Sequence, residues 1–308
     1  MILIILNTFN RAHLILETLN SIKNQSYTKF HCLIIDDFST DNTSDIVSEF
    51  IKADSRFRYL IKPKEYVKGL SAGRNYGLDL AEGIQPEFIQ FFDDDDIMHP
   101  KKLELQMKEL QKDTSLDFSI CGAKNFNQYE EIAWDEHQEN TFLNKYSLAD
   151  AYLIGDIQFV AQVPLFKYSF AKNFRFDDTL FYAEEWVLFV QEFYKTNPKF
   201  SALKKVLFYR RKHANSITEN NDENFSRRKT SAVVGIKIFN YLDSHHIHTK
   251  TTLLYFTRQF LLYKYDSKLL SRIQEIIGKD YPELITRFKI AILGHWFMRK
   301  VILKILKF

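Results

Sequence analysis

FFDDDDIMHP, residues 91–100, sets four consecutive aspartates directly behind two phenylalanines. Two carboxylates about 5 Å apart repel by roughly 3 kcal/mol at an effective dielectric near 20, so four of them held together need relief. A bound divalent cation supplies it; a solvated acidic turn is the alternative that the quartet alone leaves open. On its N-terminal side "EFIQFF" (87–92) reads as a strand. On its C-terminal side Pro100 opens a helix whose Leu103, Met107 and Leu110 share one face. Proline suits that position because its missing N–H is not needed at the first helical residue. The acidic run thus joins a strand to a helix, at the strand's carboxyl end, where open α/β sheets bind their ligands.

The same rhythm extends towards the N-terminus. "ILIIL" (2–6) is strand-like, Ile15, Leu19 and Ile22 recur at helical spacing, and "CLIIDD" (32–37) is strand-like again. Ile46, Val47, Phe50 and Ile51 then mark a helical face, "FRYLIK" (57–62) a strand, and residues 71–82 a helix. Such alternation predicts an α/β fold with a mainly parallel sheet covered by helices. "IIDD" and "FFDDDD" both end strands, so they line one crevice in this reading. Beyond residue 115 the pattern loosens: "FSICGAKNF", "FVAQVPLFKY" and "KVLFYRR" read as strands around a helix built on "AEEWVLFVQEFY". From about residue 221 the pattern is helical to the end, which predicts one domain over 1–220 and an all-helical C-terminal region over 221–308.

Composition bounds the function. The chain of 308 residues is 45% hydrophobic and 15% aromatic, enough for a sizeable core, and its formal charge of +3 is spread along the sequence. No basic footprint for nucleic acid is visible. The two cysteines, Cys32 and Cys121, lie in apolar runs and read as small buried hydrophobes in a reducing, cytoplasmic setting. "MILIIL" is too short for a signal segment and reads as a first core strand.

Several motifs are near-misses. An EF-hand starting at Asp93 would have Ile97 at loop position 5, where a ligand is required, and Met98 where glycine is needed. "GLSAG" (69–73) has the GxSxG spacing of a nucleophile elbow, but the polar "KPKEYVK" precedes it where a strand is required. Gly69, Gly73 and Gly77 miss the dinucleotide spacing, and GxxxxGK[ST] does not occur. "HHIH" (245–248) lacks a geometry for zinc, since adjacent helical side chains diverge.

What remains forms one ordered pattern: "NTFNRAHLILETLNSIKNQSY" (7–27), "LIIDDFSTDNT" (33–43), "GLSAGRNYGLDLAEG" (69–83), "FIQFFDDDDIMHPKKLE" (88–104), "FYAEEWVLFVQEF" (181–193) and "YRRKHANSIT" (209–218). The chain resembles the family 2 glycosyltransferases of the GT-A fold, a Rossmann-like nucleotide-diphospho-sugar transferase domain, over residues 1–218. The resemblance implies an inverting transferase that uses Mn²⁺ or Mg²⁺ and moves a sugar from a nucleoside diphosphate sugar, a UDP-sugar, to a glycan or lipid-linked glycan acceptor. It implies Asp95 as metal ligand, Asp93 or Asp94 at the ribose or a metal-bound water, and His213 closing over the metal and diphosphate. Thr8, Phe9 and Asn10 match the first nucleotide-binding loop, with Phe9 stacking on the base or else sitting in the core. Asp37 matches the acceptor of uracil hydrogen bonds, and Asp36 the residue holding the turn. Arg74 matches the cation near the diphosphate, where a guanidinium suits bidentate contact; the alternative is a surface cation. The family's "ED" is "EE" here: Glu185 takes the position of the catalytic base, with Glu184 beside it and Trp186 as acceptor wall or core.

The tail beyond residue 220 resembles nothing nameable. "HWFMRKVILKILKF" (295–308) puts Lys300, Lys304 and Lys307 on one helical face and Met298, Val301, Ile302 and Ile305 on another. That pattern suits peripheral contact with the inner face of a membrane, or core packing, and is too short to span a bilayer. Acceptor contact and a homodimer stand beside it as roles for this region. The competing function is a catalytically silent nucleotide-binding scaffold of a glycan-assembly complex, motivated by the "EE" and the tail. A sugar nucleotidyltransferase is a weaker alternative, since it normally opens on a glycine-rich basic loop.

Overall fold

The computed structural model describes residues 1–134, 137, 146–212, 225–262 and 267–295. In chain order these form β1 (Ile2–Thr8), α1 (Ile15–Lys23), β2 (Phe30–Asp36), α2 (Thr43–Lys52), β3 (Phe57–Ile61), α3 (Leu70–Ile84), β4 (Phe88–Asp93), β5 (Ile97–Met98), α4 (Lys102–Lys112), β6 (Phe118–Phe126), α5 (Leu148–Ile154), β7 (Leu165–Lys167), α6 (Tyr168–Ala171), α7 (Glu184–Thr196) and β8 (Phe200–Arg211). Four more helices follow: α8 (Phe225–Ser244), α9 (Lys250–Leu262), α10 (Ser267–Asp280) and α11 (Ile285–His295).

Ile2 to Leu6 are fully buried, the continuous apolar run demanded of a strand covered on both faces. β1 pairs in parallel with β2 and β4, and β2 with β3. The whole sheet has eight strands in the order β3-β2-β1-β4-β7-β6-β8-β5. The parallel expectation holds for the first four strands and for β6 with β8, while β7 runs antiparallel to β4 and β6, and β5 to β8. Of the stretch "FVAQVPLFKY", β7 keeps only Leu165–Lys167. Cys32 and Cys121 are buried free thiols.

Helix α3 lies against this sheet without a side chain at Gly77. A Cβ there would stand 2.4 Å from Ile5 Cγ2 and 3.0 Å from Ile35 Cδ1, both buried in β1 and β2. Gly77→Ala should therefore push α3 off the sheet and destabilise the protein by about 1–3 kcal/mol, the usual range for overpacking. Urea unfolding of the variant measures it, and an unchanged midpoint would mean that α3 shifts without cost.

The chain divides into two units: Met1–Leu143 with Gln158–Leu188 and Pro198–Ser216, and Asn144–Ile157 with Phe189–Asn197 and Ile217–Phe308. A single boundary near residue 220 misses this, because the second unit also takes in α5 and the later turns of α7. The reason is packing within that unit. Tyr152 meets Phe193 edge-on at 5.3 Å, and Asp150 accepts hydrogen bonds from Tyr194 (2.6 Å) and Thr249 (2.9 Å). Phe239 meets Phe256 and Phe260, and Arg272 grips both oxygens of Asp243. Among the described residues no helix is long and apolar enough to cross a membrane. The side chains of 295–308, on which the interfacial expectation rests, lie outside the described residues.

Candidate active site

The carboxyl ends of β1, β2 and β4 are tied together. The Thr8 carbonyl accepts the Asp37 N–H at 2.9 Å, and Asn7 stands opposite Asp93 across the β1–β4 pairing. Asp36 holds the turn as expected, accepting from the Ser39 N–H at 2.7 Å and from the Tyr59 hydroxyl. Asp37 is fixed by the Gly69 N–H at 2.7 Å and by the buried Lys62 ammonium at 2.5 Å. Asn10 links the loops after β1 and β2: its N–H donates to Ser39 Oγ at 2.9 Å and its Oδ1 accepts the Thr40 N–H at 2.7 Å. Phe9 is partly exposed rather than core, and Lys68 Nζ lies 4.0 Å from its ring centroid. Two non-glycine residues at these loops occupy the left-handed region, Asn10 (φ 52°) and Phe38 (φ 64°), as does Ala183 (φ 59°) directly before α7. Such strain costs of order 1–3 kcal/mol each and persists where the surroundings over-determine it.

The acidic quartet divides into buried and accessible members. Asp94 turns back under the loop after β1, accepting the Phe9 N–H at 3.1 Å and lying 3.3 Å from Arg11 Nε. Asp96 is buried and accepts the Arg211 N–H at 2.9 Å, which fastens the end of β8 to the quartet. Burial, and then the charge of Asp95, raise both carboxyls, Asp94 to about 8 with Arg11 opposing. Asp93 and Asp95 stay partly exposed. Asp93 accepts from Gln162 Nε2 and from Arg74 at 3.2 Å, and Asp95 lies 3.8 Å from Arg11.

Arg74 is not a surface cation, the alternative reading of the sequence. It is fully buried on α3, over the Phe176 ring, and its terminal nitrogens meet carboxylates: Asp93 at 3.2 Å, Glu184 at 2.8 Å and Glu185 at 3.5 Å. The two glutamates differ. Glu184 is 7% exposed and hydrogen-bonds Arg74; Glu185 is 21% exposed. Burial and the neighbouring Glu184 charge raise the Glu185 carboxyl to about 8, with Arg74 pulling the other way. Trp186 beside it is partly buried. His213 lies outside the described residues.

The family described as Glycosyl transferase family 2 matches residues 3–174. The chain belongs to glycosyl transferase family 2. It is 30% identical over 188 residues to the GalNAc(5)-diNAcBac-PP-undecaprenol beta-1,3-glucosyltransferase of Campylobacter jejuni, covering 61% of this chain and 58% of that protein. It is 39% identical over 109 residues to the UDP-Glc:alpha-D-GlcNAc-diphosphoundecaprenol beta-1,3-glucosyltransferase WfgD of Escherichia coli, covering 35% of this chain and 40% of that one. The chain thus spans about half the length of these relatives. Among solved structures it is similar to S. aureus TarS 1-349 in complex with UDP-GlcNAc, with a TM-score of 0.66 at 19% identity over 99% of this chain and 89% of that one. It is also similar to the mannosyltransferase PcManGT from Pyrobaculum calidifontis in complex with GDP-Man and Mn2+, with a TM-score of 0.55 at 15% identity over 99% of this chain and 84% of that one. The fold of this family 2 chain is GT-A-like, with C-terminal helices.

Whether the family's cation suits these residues can be tested on the donors. Asp93 and Asp95 offer hard carboxylate oxygens, the ligand type Mg²⁺ and Mn²⁺ prefer. Among the described residues no three His, Cys, Asp or Glu side chains form a ready-made metal cage. Such ions commonly take one or two carboxylates and complete their shell with substrate phosphates and water. Sequence reasoning passed over Arg11, Lys62, Gln162 and Arg211. Arg11 and Arg211 stood inside the quoted motifs as unused letters, whereas Gln162 sits in an irregular segment with no pattern to mark it.

Proposed function

We propose that this family 2 chain is an inverting, divalent-metal-dependent glycosyltransferase that moves a hexosyl or N-acetylhexosaminyl group from a UDP-sugar to a hydroxyl of a glycan or lipid-linked glycan. The reading rests above all on the arrangement of Asp93, Arg74 and the unequal glutamates at one sheet edge. Asp37, held at the end of β2, suits the N3–H of uracil, a donor that cytosine lacks. The partly exposed Phe9 suits stacking of that base once Lys68 moves aside. The names of the relatives favour a lipid diphosphate acceptor, and with it work at the cytoplasmic face of a membrane. A divalent ion held by Asp95, with His213 as a further ligand, would neutralise charge on the departing diphosphate.

The chain's own residues perform the rest. Glu185 takes the proton of the acceptor hydroxyl, whose oxygen pair forms the new bond at the anomeric carbon as the bond to the diphosphate breaks on the opposite face. Glu184 stays on Arg74 and keeps the guanidinium from swinging away from Glu185. Asp93, held on both oxygens, is oriented for the ribose or a metal-bound water. Calorimetry with UDP tests the nucleotide half of this reading. Binding should require Mn²⁺, disappear with EDTA, and weaken more than tenfold in Asp95→Ala. UDP binding indifferent to Mn²⁺ and to Asp95 would turn the reading towards the silent nucleotide-binding scaffold, and no binding at all would overturn the UDP-sugar reading.

A further inference from the structure

Lys102 carries an ammonium with no solvent exposure, on the face of α4 turned to the sheet. Its two partners are neutral: it donates to Gln90 Oε1 and, at 2.8 Å, to Gln106 Oε1. An ammonium has donors and no acceptor, so both amides must present oxygen to it and turn their NH₂ groups away. The NH₂ groups land on the segment before β7. Gln90 Nε2 donates to the Gln162 carbonyl at 2.9 Å and to the Phe91 carbonyl at 2.7 Å. Gln106 Nε2 donates to the Val163 carbonyl at 3.0 Å and to the Ser119 carbonyl at 2.7 Å. Two consecutive carbonyls of an otherwise irregular segment are therefore clamped by amides whose direction one lysine sets.

The segment so clamped delivers Gln162 to the site. Gln162 is 5% exposed, and its Nε2 donates to Asp93 Oδ2 while Oε1 makes no hydrogen bond. Asp93 Oδ1 meets Arg74, and Arg74 meets Glu184 and Glu185. The contacts run without a break from Lys102 through Gln90 and Gln162 to Asp93, Arg74 and the proposed base. We propose that Lys102 is a remote positioning residue: by fixing the orientation of Gln90 and Gln106 it seats Gln162 on Asp93, and through Asp93 it sets where Arg74 holds Glu185. An apolar residue of the same length would fill the space yet leave both amides free to flip, and Gln162 would lose its seat.

The catalytic part of this inference rests on the function proposed above, so its test has one readout that needs no activity. Lys102→Met, Gln162→Met and the double variant are compared with the parent after circular dichroism shows them folded. Selective ¹⁵N-glutamine labelling, with Gln162→Met providing the assignment, reads the Gln162 side-chain amide directly. That resonance should move in Lys102→Met; an unmoved resonance overturns the inference whatever the enzyme does. Turnover of a UDP-sugar should fall about tenfold or more in each single variant, and the double variant should be no worse than the worse single one, because the two act along one path. Additive losses would make Lys102 a structural residue and sink the proposal. Should the parent turn over no UDP-sugar, the functional reading falls, and the amide resonance still decides the positioning claim. If Lys102→Met fails to fold, Gln90→Met removes the same link from the other side and takes its place in the comparison.

Discussion

Glu185→Gln should lower turnover by about 10²- to 10⁴-fold while Mn²⁺-dependent UDP binding stays unchanged, the signature of a lost base beside an intact donor site. The structure separates Glu185 from its neighbour: the more accessible carboxylate is Glu185, and Glu184 is committed to the Arg74 hydrogen bond at 2.8 Å. Glu184→Gln should accordingly cost less than Glu185→Gln, and the reverse ranking would move the base assignment to Glu184. The pH profile carries the sign. Burial and the Glu184 charge raise the Glu185 carboxyl to about 8, so below that pH the base is mostly protonated and kcat should rise with pH to a plateau above about 8. Glu185→Gln should flatten that rise. Glu185→Asp draws the carboxylate back by about 1 Å, a misplacement that can cost on the order of 10²-fold in a site built for the longer side chain. Activity in Glu185→Asp equal to the parent would mean that the pocket does not depend on the extra methylene.

The parts legible in the sequence were those where a backbone pattern and a chemical need coincide. "ILIIL", "CLIIDD" and "EFIQFF" announced themselves because strands buried on both faces must be continuously apolar, and the carboxylates that close the second and follow the third marked the carboxyl edge of the sheet, where open α/β sheets bind ligands. "FVAQVPLFKY" misled for the converse reason. It is apolar enough for a strand, but Pro164 has no N–H to pair and the carbonyls of Gln162 and Val163 are taken by side-chain amides, so pairing begins only at Leu165. The glutamine amides that capture those carbonyls come from β4 and α4, some 57 to 72 residues earlier in the chain. The second unit was obscured likewise: α5 and the later turns of α7 join helices far along the chain through Asp150 and Tyr152, a partnership no local period records. The burial of Arg74 among carboxylates was hidden in the same way, because its partners Glu184 and Glu185 lie more than a hundred residues away.

Arg74→Met should be the most damaging single change at the site. The guanidinium is fully buried, and it is the cation that Asp93, Glu184 and Glu185 share. Removing one partner of a buried charge cluster typically costs about 3–5 kcal/mol, because the remaining carboxylates keep their burial and lose their compensation. Lysine does not restore it, since an ammonium is a point charge and cannot reach three carboxylates in a planar fork. The loss should depend on pH in a defined direction. Burial already raises the Asp93 and Glu185 carboxyls above the ordinary range near 4, and Arg74 opposes that rise at both. In the folded state these groups therefore hold protons that the unfolded chain has released, and stability declines as pH rises from about 4 towards about 8. Without Arg74 the carboxyls rise further and the decline steepens and extends to higher pH. Urea unfolding of parent and Arg74→Met at pH 5 and pH 8.5 should show the larger deficit at pH 8.5, where more of the uncompensated carboxylates must stay ionised or take up protons against the solvent. An equal deficit at both pH values would mean that Arg74 contributes through packing on Phe176 and not through its charge.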